Sequence, residues 1–241
     1  MQNLHALVDE TLGLPTLLVY NDRSKGNSRI DRSDPIYVAD DSALVDLVGR
    51  EWGLKYRVRG RHAGQDPLLF LDLRNARGWV QRHAAGKSVL NLFAYTCGVG
   101  LNAAAGGAHD VVNLDFAEGN LAVGRENGAL NADLPVMQFV QSDYFPAIRQ
   151  WAGLPIAARR GQKLPSYPRL EQRQFDLVFL DPPYGLNLGL PALRAARATG
   201  WIVPGTVVVW EERSAQIAPQ GFRALDSRRY GDTWITLMAA A

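Results

Sequence analysis

The chain has 241 residues, 47% of them apolar, and its 26 basic and 24 acidic residues leave a formal net charge of only +2. That length supports a sizeable hydrophobic core without disulfides or metal staples, and so small a net charge says little about partners. A single cysteine, Cys97, excludes an internal disulfide, and His5, His62, His83 and His109 show no ligand spacing, so no metal is expected. No apolar run approaches the roughly 20 residues of a membrane helix. The opening MQNLHALVDETLG has neither a basic leader nor a long apolar stretch, so a cytoplasmic protein is expected.

In chain order, Leu4 to Leu12 reads as a short amphipathic helix stopped by Gly13 and Pro15. Thr16 to Tyr20 reads as a strand leading into a turn-rich stretch, and Pro35 to Val38 as another. Trp52 to Arg59 alternates, with Leu54, Tyr56 and Val58 on one face. A helix opens between Asp72 and Val80, and residues 1–85 are expected to form a small α+β appendage.

From Lys87 the rhythm becomes strand–helix alternation, which predicts a doubly wound α/β sheet over residues 86–241. Strands are predicted at Val89–Ala94, Val111–Leu114, Val136–Val140 and Phe175–Leu180, the last unbroken and apolar as in a buried parallel sheet. Helices are predicted at Gly98–Ala105, Glu118–Leu130, Phe145–Trp151 and Pro191–Ala198. Strands at Thr206–Trp210, Phe222–Ser227 and Thr233–Met238 complete the sheet, with a turn at Tyr230–Thr233. Arginines gather between Arg50 and Arg82, and again with Lys163 between Gly153 and Gln174. Such clusters are either solvated loops or a surface for a phosphate backbone.

Ligands of such sheets bind outside the carboxyl ends of the strands, and four places qualify. Phe93 to Gly100 is a glycine-containing loop that opens a helix, fit for close backbone approach and an anionic group. Asp115 stands where an acid meets ribose hydroxyls, or else caps the next helix. Asp143 is placed to accept an adenine amino group, or caps the helix near Phe145. Asp181-Pro182-Pro183-Tyr184 forms a rigid elbow at a buried strand's end. There Asp181 and a proline carbonyl can accept hydrogen bonds from an exocyclic amine while Tyr184 stacks on a base.

The segments VLNLFAYTCGVGLNAAAGGA, VVNLDFAEGNLAVGRENGALN and FDLVFLDPPYG resemble bacterial ribosomal RNA methyltransferases of the Rossmann-like class I fold. FLDLRNAR, from Phe70 to Arg77, resembles an element of the large-subunit rRNA cytosine-C5 methyltransferases. Residues 182–241 resemble the small-subunit guanine-N2 enzymes. The resemblance implies S-adenosylmethionine as cofactor and ribosomal RNA, or a ribosome assembly intermediate, as partner. It implies that Asp72 and Arg74 line the cofactor pocket and that Phe93, Tyr95 and Gly98 surround its methionine part. It further implies Asp115 on the ribose and Asp143 at the adenine, with Asn91 and Phe116 in the same set. The RNA-binding PUA domain of the cytosine-type enzymes is not expected here. Cytosine-C5 transfer needs a cysteine nucleophile, and Cys97, in the cofactor loop, reads instead as a small buried thiol.

The leading expectation is therefore methyl transfer to an exocyclic amine of a base. A nucleic-acid-binding module that keeps the fold without turnover is the first alternative. A nicotinamide-dependent oxidoreductase is the second, since Gly98 and Asp115 also suit a dinucleotide.

Overall fold

The computed structural model describes residues 2–16, 18–21, 36–38, 45–60, 67–145 and 173–241. It divides into two compact units, Met1–Phe70 and Leu71–Ala241. In the first, helix α1 spans Gln2–Leu12 and the short strands β1 (Val19–Asn21) and β2 (Ile36–Val38) pair antiparallel. Strands β3 (Leu47–Glu51) and β4 (Leu54–Val58) form a hairpin. Its two-residue turn, Trp52-Gly53, has both residues at positive φ, the twist that a tight hairpin requires. Sequence reading ran Trp52 into the second strand and missed β3, whose Gly49, Arg50 and Glu51 carry no apolar alternation. Arg57 and Arg59, read as part of a basic surface, both bind Asp46, with Arg59 Nη2 at 2.8 Å from its Oδ2.

The second unit is built on a sheet of 7 strands in the order β10-β11-β9-β8-β5-β6-β7. These are β5 (Ser88–Leu92), β6 (Asp110–Asp115), β7 (Gln138–Gln141), β8 (Leu177–Leu180), β9 (Val207–Glu212), β10 (Phe222–Tyr230) and β11 (Thr233–Ala240). The run from β9 to β7 is parallel, and the β10–β11 hairpin adds antiparallel strands at one edge. Helices α2 (Arg74–His83), α3 (Gly98–Ala105), α4 (Glu118–Ala129) and α5 (Gly189–Ala198) accompany it. This is the predicted Rossmann-like, doubly wound α/β fold. Sequence reading of β10 stopped at Ser227, because Arg228 and Arg229 look like loop. On an edge strand such charges face solvent and discourage further pairing.

Period-two alternation gives the sheet two different faces. Leu90, Leu92, Val112, Leu114, Val178, Leu180, Val208 and Trp210 join Ala192, Leu193 and Ala196 of α5 in one buried cluster. Each fully buried leucine contributes about 1.5–3 kcal/mol of hydrophobic stabilisation. On the alternate positions Asn91 and Asn113 stand in register, and Asn91 Nδ2 donates to Asn113 Oδ1 at 2.9 Å. A Cβ on Gly100 would lie 2.0 Å from that Oδ1, so glycine is what lets α3 settle over the pair. Residues 146–172 lie outside the described residues. With them go most of the helix expected at Phe145–Trp151, Trp151 itself, and the cations Arg159, Arg160, Lys163 and Arg169.

The expected division near residue 85 moves to Phe70/Leu71, because α2 packs on α3 within the larger unit. The approach is close: a Cβ on Gly106, at the end of α3, would meet the Gln81 carbonyl oxygen of α2 at 2.1 Å. Below it, the Gly86 amide donates to the Gly107 carbonyl at 2.9 Å. Gly106→Ala should therefore cost about 1–3 kcal/mol, the usual size of an overpacking penalty. Thermal denaturation would register it as a drop of several degrees, and an unchanged midpoint would refute the backbone contact.

Candidate functional site

Chain order fixes where a ligand can sit. From β5 the chain runs outward to β6 and β7, then returns to place β8 on the other side of β5. The switch point thus falls between the carboxyl ends of β5 and β8, where Leu92 and Leu180 are in register. Phe93 follows one and Asp181 the other. Asp115, Asp143 and Glu211 sit at or just past the carboxyl ends of β6, β7 and β9, so five adjacent parallel strands deliver their candidates to one rim.

The loop after β5 has an unusual backbone. Phe93, Tyr95 and Cys97 have φ of 56, 47 and 62 degrees, three left-handed non-glycine residues at alternate positions. Each costs on the order of 1–3 kcal/mol and persists only where its surroundings over-determine it. Here they do. Asp115 Oδ2 accepts the Tyr95 amide at 2.9 Å, Asn127 of α4 donates to the Thr96 carbonyl at 3.1 Å, and the Ala94 amide donates to the Leu114 carbonyl at 3.0 Å. These bonds hold the loop close over the carboxyl ends of β5 and β6. The glycine at position 98 opens α3 beside it.

Asp115 is 5% exposed, and its other oxygen accepts the Ala117 amide at 2.9 Å. Burial raises its pKa, an effect partly offset by hydrogen bonds from Ala117, Tyr95, Asn120 and Phe116. Next to it Phe116 leaves 69% of its surface exposed, a large apolar side chain at the rim, and Asp143 is exposed at the end of the adjoining strand. Strained loop, diol-sized acid, apolar ring and second acid together fit an adenosyl group that carries an amino-acid tail.

Two members of the predicted cofactor set have protein partners in the structure. Asn91 is 1% exposed and bonded to Asn113, so it supports α3 from within the sheet and offers no surface to a ligand. Asp72 stands with the residues after β8: its Oδ2 accepts the Thr233 hydroxyl at 3.4 Å, and its charge acts on Asp181. Arg74 is exposed at the first position of α2, while Arg77 is 2% exposed. Phe93 packs toward Tyr144, with ring centroids 6.0 Å apart. Arg173 is held by Asp110 and by Gln138, the latter at 2.8 Å.

Asp181 opens the elbow after β8, followed by a buried Pro182 and an exposed Pro183. Glu211, which sequence reading missed, faces it from β9 and is 1% exposed. The predicted strand stopped at Trp210. The available signal was the one applied to Asp115 and Asp181, an acid at the carboxyl end of a buried strand. Tyr184 donates its hydroxyl to Glu211 Oε1 and lies 3.2 Å from the Thr233 hydroxyl. The Arg213 guanidinium sits 4.9 Å from the centroid of the Tyr184 ring, covering one face of the platform expected to stack on a base.

Glu211 Oε2 is buried and meets no donor among the described residues. Burial and mutual repulsion disfavour ionising both carboxyl groups of this pair. Burial, a hydrogen bond with Glu211 and the charges of Glu211, Asp72 and Glu212 push the Asp181 pKa well above the usual carboxylate range. Burial likewise raises Glu211.

A strand-end loop of this kind beside an acidic elbow at the switch point defines an adenosyl-binding α/β transferase. The S-adenosylmethionine-dependent methyltransferase family matches residues 28–184, and the chain belongs to that family. S-adenosylmethionine is accordingly its cofactor, and the residues described above fit it. Over 138 residues the chain is 35% identical to the ribosomal RNA large subunit methyltransferase I of Aeromonas salmonicida, covering 57% of this chain and 30% of the relative. Over 206 residues it is 33% identical to a ribosomal RNA large subunit methyltransferase of Deinococcus radiodurans, covering 80% of this chain and 46% of the relative. The chain thus spans less than half the length of either. Among solved structures, a Streptococcus mutans protein assigned as a SAM-dependent methyltransferase superposes with a TM-score of 0.74 at 18% identity, covering 99% of this chain and 65% of its own. The SAM-dependent methyltransferase of Agrobacterium tumefaciens does so at 0.63 and 18%, covering 94% and 81%. At these identities the two superpositions show the fold.

Cys97 is 1% exposed in a small cluster with Ala94 and Leu121, and burial pushes its thiol up, away from the nucleophilic thiolate. Iodoacetamide should leave it unmodified in the native protein and label it on unfolding; rapid native labelling would contradict this placement. The carboxyl pair predicts a pH signature as well. Because folding raises these pKa values, the native state holds more protons than the unfolded one, and stability falls as pH rises through the interval between the two pKa values. Asp181→Asn should flatten that slope in melting temperatures recorded without cofactor, whereas an unaltered slope would mean that Asp181 does not titrate in that interval.

Proposed function

We propose that the chain transfers the methyl group of S-adenosylmethionine to an exocyclic amine of a base in RNA, with ribosomal RNA the substrate class that the named relatives support. The observation that carries this is the Asp181–Glu211 pair at the prolyl elbow: a half-buried carboxyl facing a buried one whose Oε2 meets no donor among the described residues. Such a pocket is completed by a ligand that brings N–H groups.

The cofactor supplies an electrophilic sulfonium methyl, so the chain's own task is to place a nitrogen and manage one proton. Asp181 and the Pro182 carbonyl accept the two N–H groups of the amine, which directs the nitrogen lone pair toward the loop. Transfer forms the N–C bond and breaks the S–C bond, whose electron pair stays on sulfur as a neutral thioether. The cationic nitrogen then gives one proton to the carboxyl pair, which carries one negative charge before it and none after. Tyr184 and Thr233 hold Glu211 in place, and Asp72 holds Thr233. The cofactor contacts fall to the loop from Phe93 to Gly98, Asp115, Phe116 and Asp143. A base within a duplex would have to flip out to reach the elbow.

The nicotinamide alternative is not retained, because the family matched is that of S-adenosylmethionine-dependent methyltransferases. The test is transfer of labelled methyl to under-methylated ribosomal RNA, followed by nucleoside analysis. Label is expected in N2-methylguanosine, and label in 5-methylcytidine would overturn the exocyclic-amine assignment. Asp181→Ala should lower transfer by at least about a hundredfold, as loss of a key positioning contact does, while cofactor affinity stays within about threefold. Undiminished transfer by that variant removes Asp181 from the mechanism. Cofactor binding by the native protein without any label would favour the binding-module alternative.

A further inference from the structure

One face of the sheet's antiparallel edge continues outward from the carboxyl cluster. Thr233, Ile235 and Leu237 alternate along β11, and Tyr230, Arg228 and Asp226 stand opposite them in register on β10. On the other flank Ile235 pairs with Glu211 of β9. The row that begins at Glu211 therefore crosses Ile235 and ends at Arg228. Helix α2, whose first turn follows Asp72, lies over this face and contributes Asn75 and Trp79. Between helix and hairpin is an open groove with an apolar floor.

The walls suit one kind of occupant. Trp79 is stacked on His83 with centroids 4.1 Å apart, so the indole lining the groove is fixed in place. Arg228 is 67% exposed and oriented by Asp226 at 2.7 Å, which presents a planar guanidinium beside Tyr230. Asn75 and Asp226 add amide and carboxylate groups able to meet a base edge. Arg228 is the cation of the groove wall, and Arg74 and Arg82 are exposed on α2. An aromatic ring, an arginine plane and hydrogen-bonding groups for a base edge are how unpaired bases of RNA are held. Thr233, within the carboxyl cluster, and Ile235, on the groove floor, are two residues apart on a strand, about 7 Å.

We propose that this groove is the subsite for the nucleotide that flanks the methylated base in a single-stranded segment of RNA. The proposal rests on the RNA methyltransferase function above and adds the place where the substrate strand leaves the catalytic pocket. Stacking on Trp79 and Arg228 holds the neighbouring base, and the amine is thereby set in register with Asp181.

The test is fluorescence anisotropy of a labelled single-stranded RNA about a dozen nucleotides long, the length range such grooves cover. It is run on the native protein and on Arg228→Ala, Asn75→Ala and Trp79→Ala, with cofactor affinity by calorimetry as the check on folding. Affinity for RNA should fall about tenfold in Arg228→Ala and in Trp79→Ala, the scale of one lost base stack, and cofactor affinity should be unchanged. Arg228 is exposed on an edge strand, so its variant remains informative even if Trp79→Ala fails to fold. Native-like RNA affinity in Arg228→Ala and Asn75→Ala, beside a native protein that binds, overturns the subsite and leaves the proposed function standing. A native protein that binds cofactor but no RNA overturns both.

Discussion

Parallel pairing of β5 with β8 is the constraint on which the site depends. The two strands are far apart in sequence and meet only because the chain reverses its direction of winding between β7 and β8. That reversal opens a crevice over Leu92 and Leu180, since the crossovers depart to opposite sides. The register then decides which residues face it. The left-handed loop begins one residue beyond Leu92 and the prolyl elbow one residue beyond Leu180, so loop and elbow are brought together by backbone hydrogen bonds. A slip of one residue in that pairing would turn the side chains of one strand to the wrong faces.

The two halves of the crevice treat their acids in opposite ways. Asp115 is supplied with donors by the protein itself: the amides of Tyr95 and Ala117 engage both its oxygens, and they fix the loop in doing so. Its role is fixed before any ligand arrives. Asp181 and Glu211 are instead crowded with like-charged neighbours, and one Glu211 oxygen has no donor among the described residues. The first arrangement is a rigid cradle and the second an unsatisfied one. A binding step is suited to the former. A step in which a proton must change hands is suited to the latter, because a pair disfavoured from ionising fully can take a proton at little cost in reorganisation.

Much of this was legible in the sequence, for identifiable reasons. Helix α3 was read with its observed ends because glycine and an apolar run mark both boundaries, and the parallel strands announced themselves as short, unbroken apolar segments. Asp115 and Asp181 were found because strand-end acids follow a positional rule. Glu211 was missed because the apolar strand carries two acids at its end and was cut before them. Thr233 was missed because a threonine opening a strand carries no functional signature. Asn91 entered through the family resemblance alone; its partner Asn113 lies on another strand, and only the register reveals the pair. Arg57 and Arg59 looked like a phosphate-seeking surface because Asp46, which neutralises them, lies across a hairpin turn.

The contact between Cys97 and Gly124 bears on how sequences of this kind can diverge. A Cβ at position 124 would stand 2.5 Å from the Cys97 sulfur, so the sulfur occupies the space that any other residue on that turn of α4 would need. Change at 124 is therefore conditional on position 97, and the dependence runs one way. A lineage can lose the thiol for a smaller group and only then admit alanine at 124, whereas the reverse order passes through a protein whose strand-end loop is displaced. The glycine at 124 is thus held in place by the cysteine, and the cysteine is not held by the glycine.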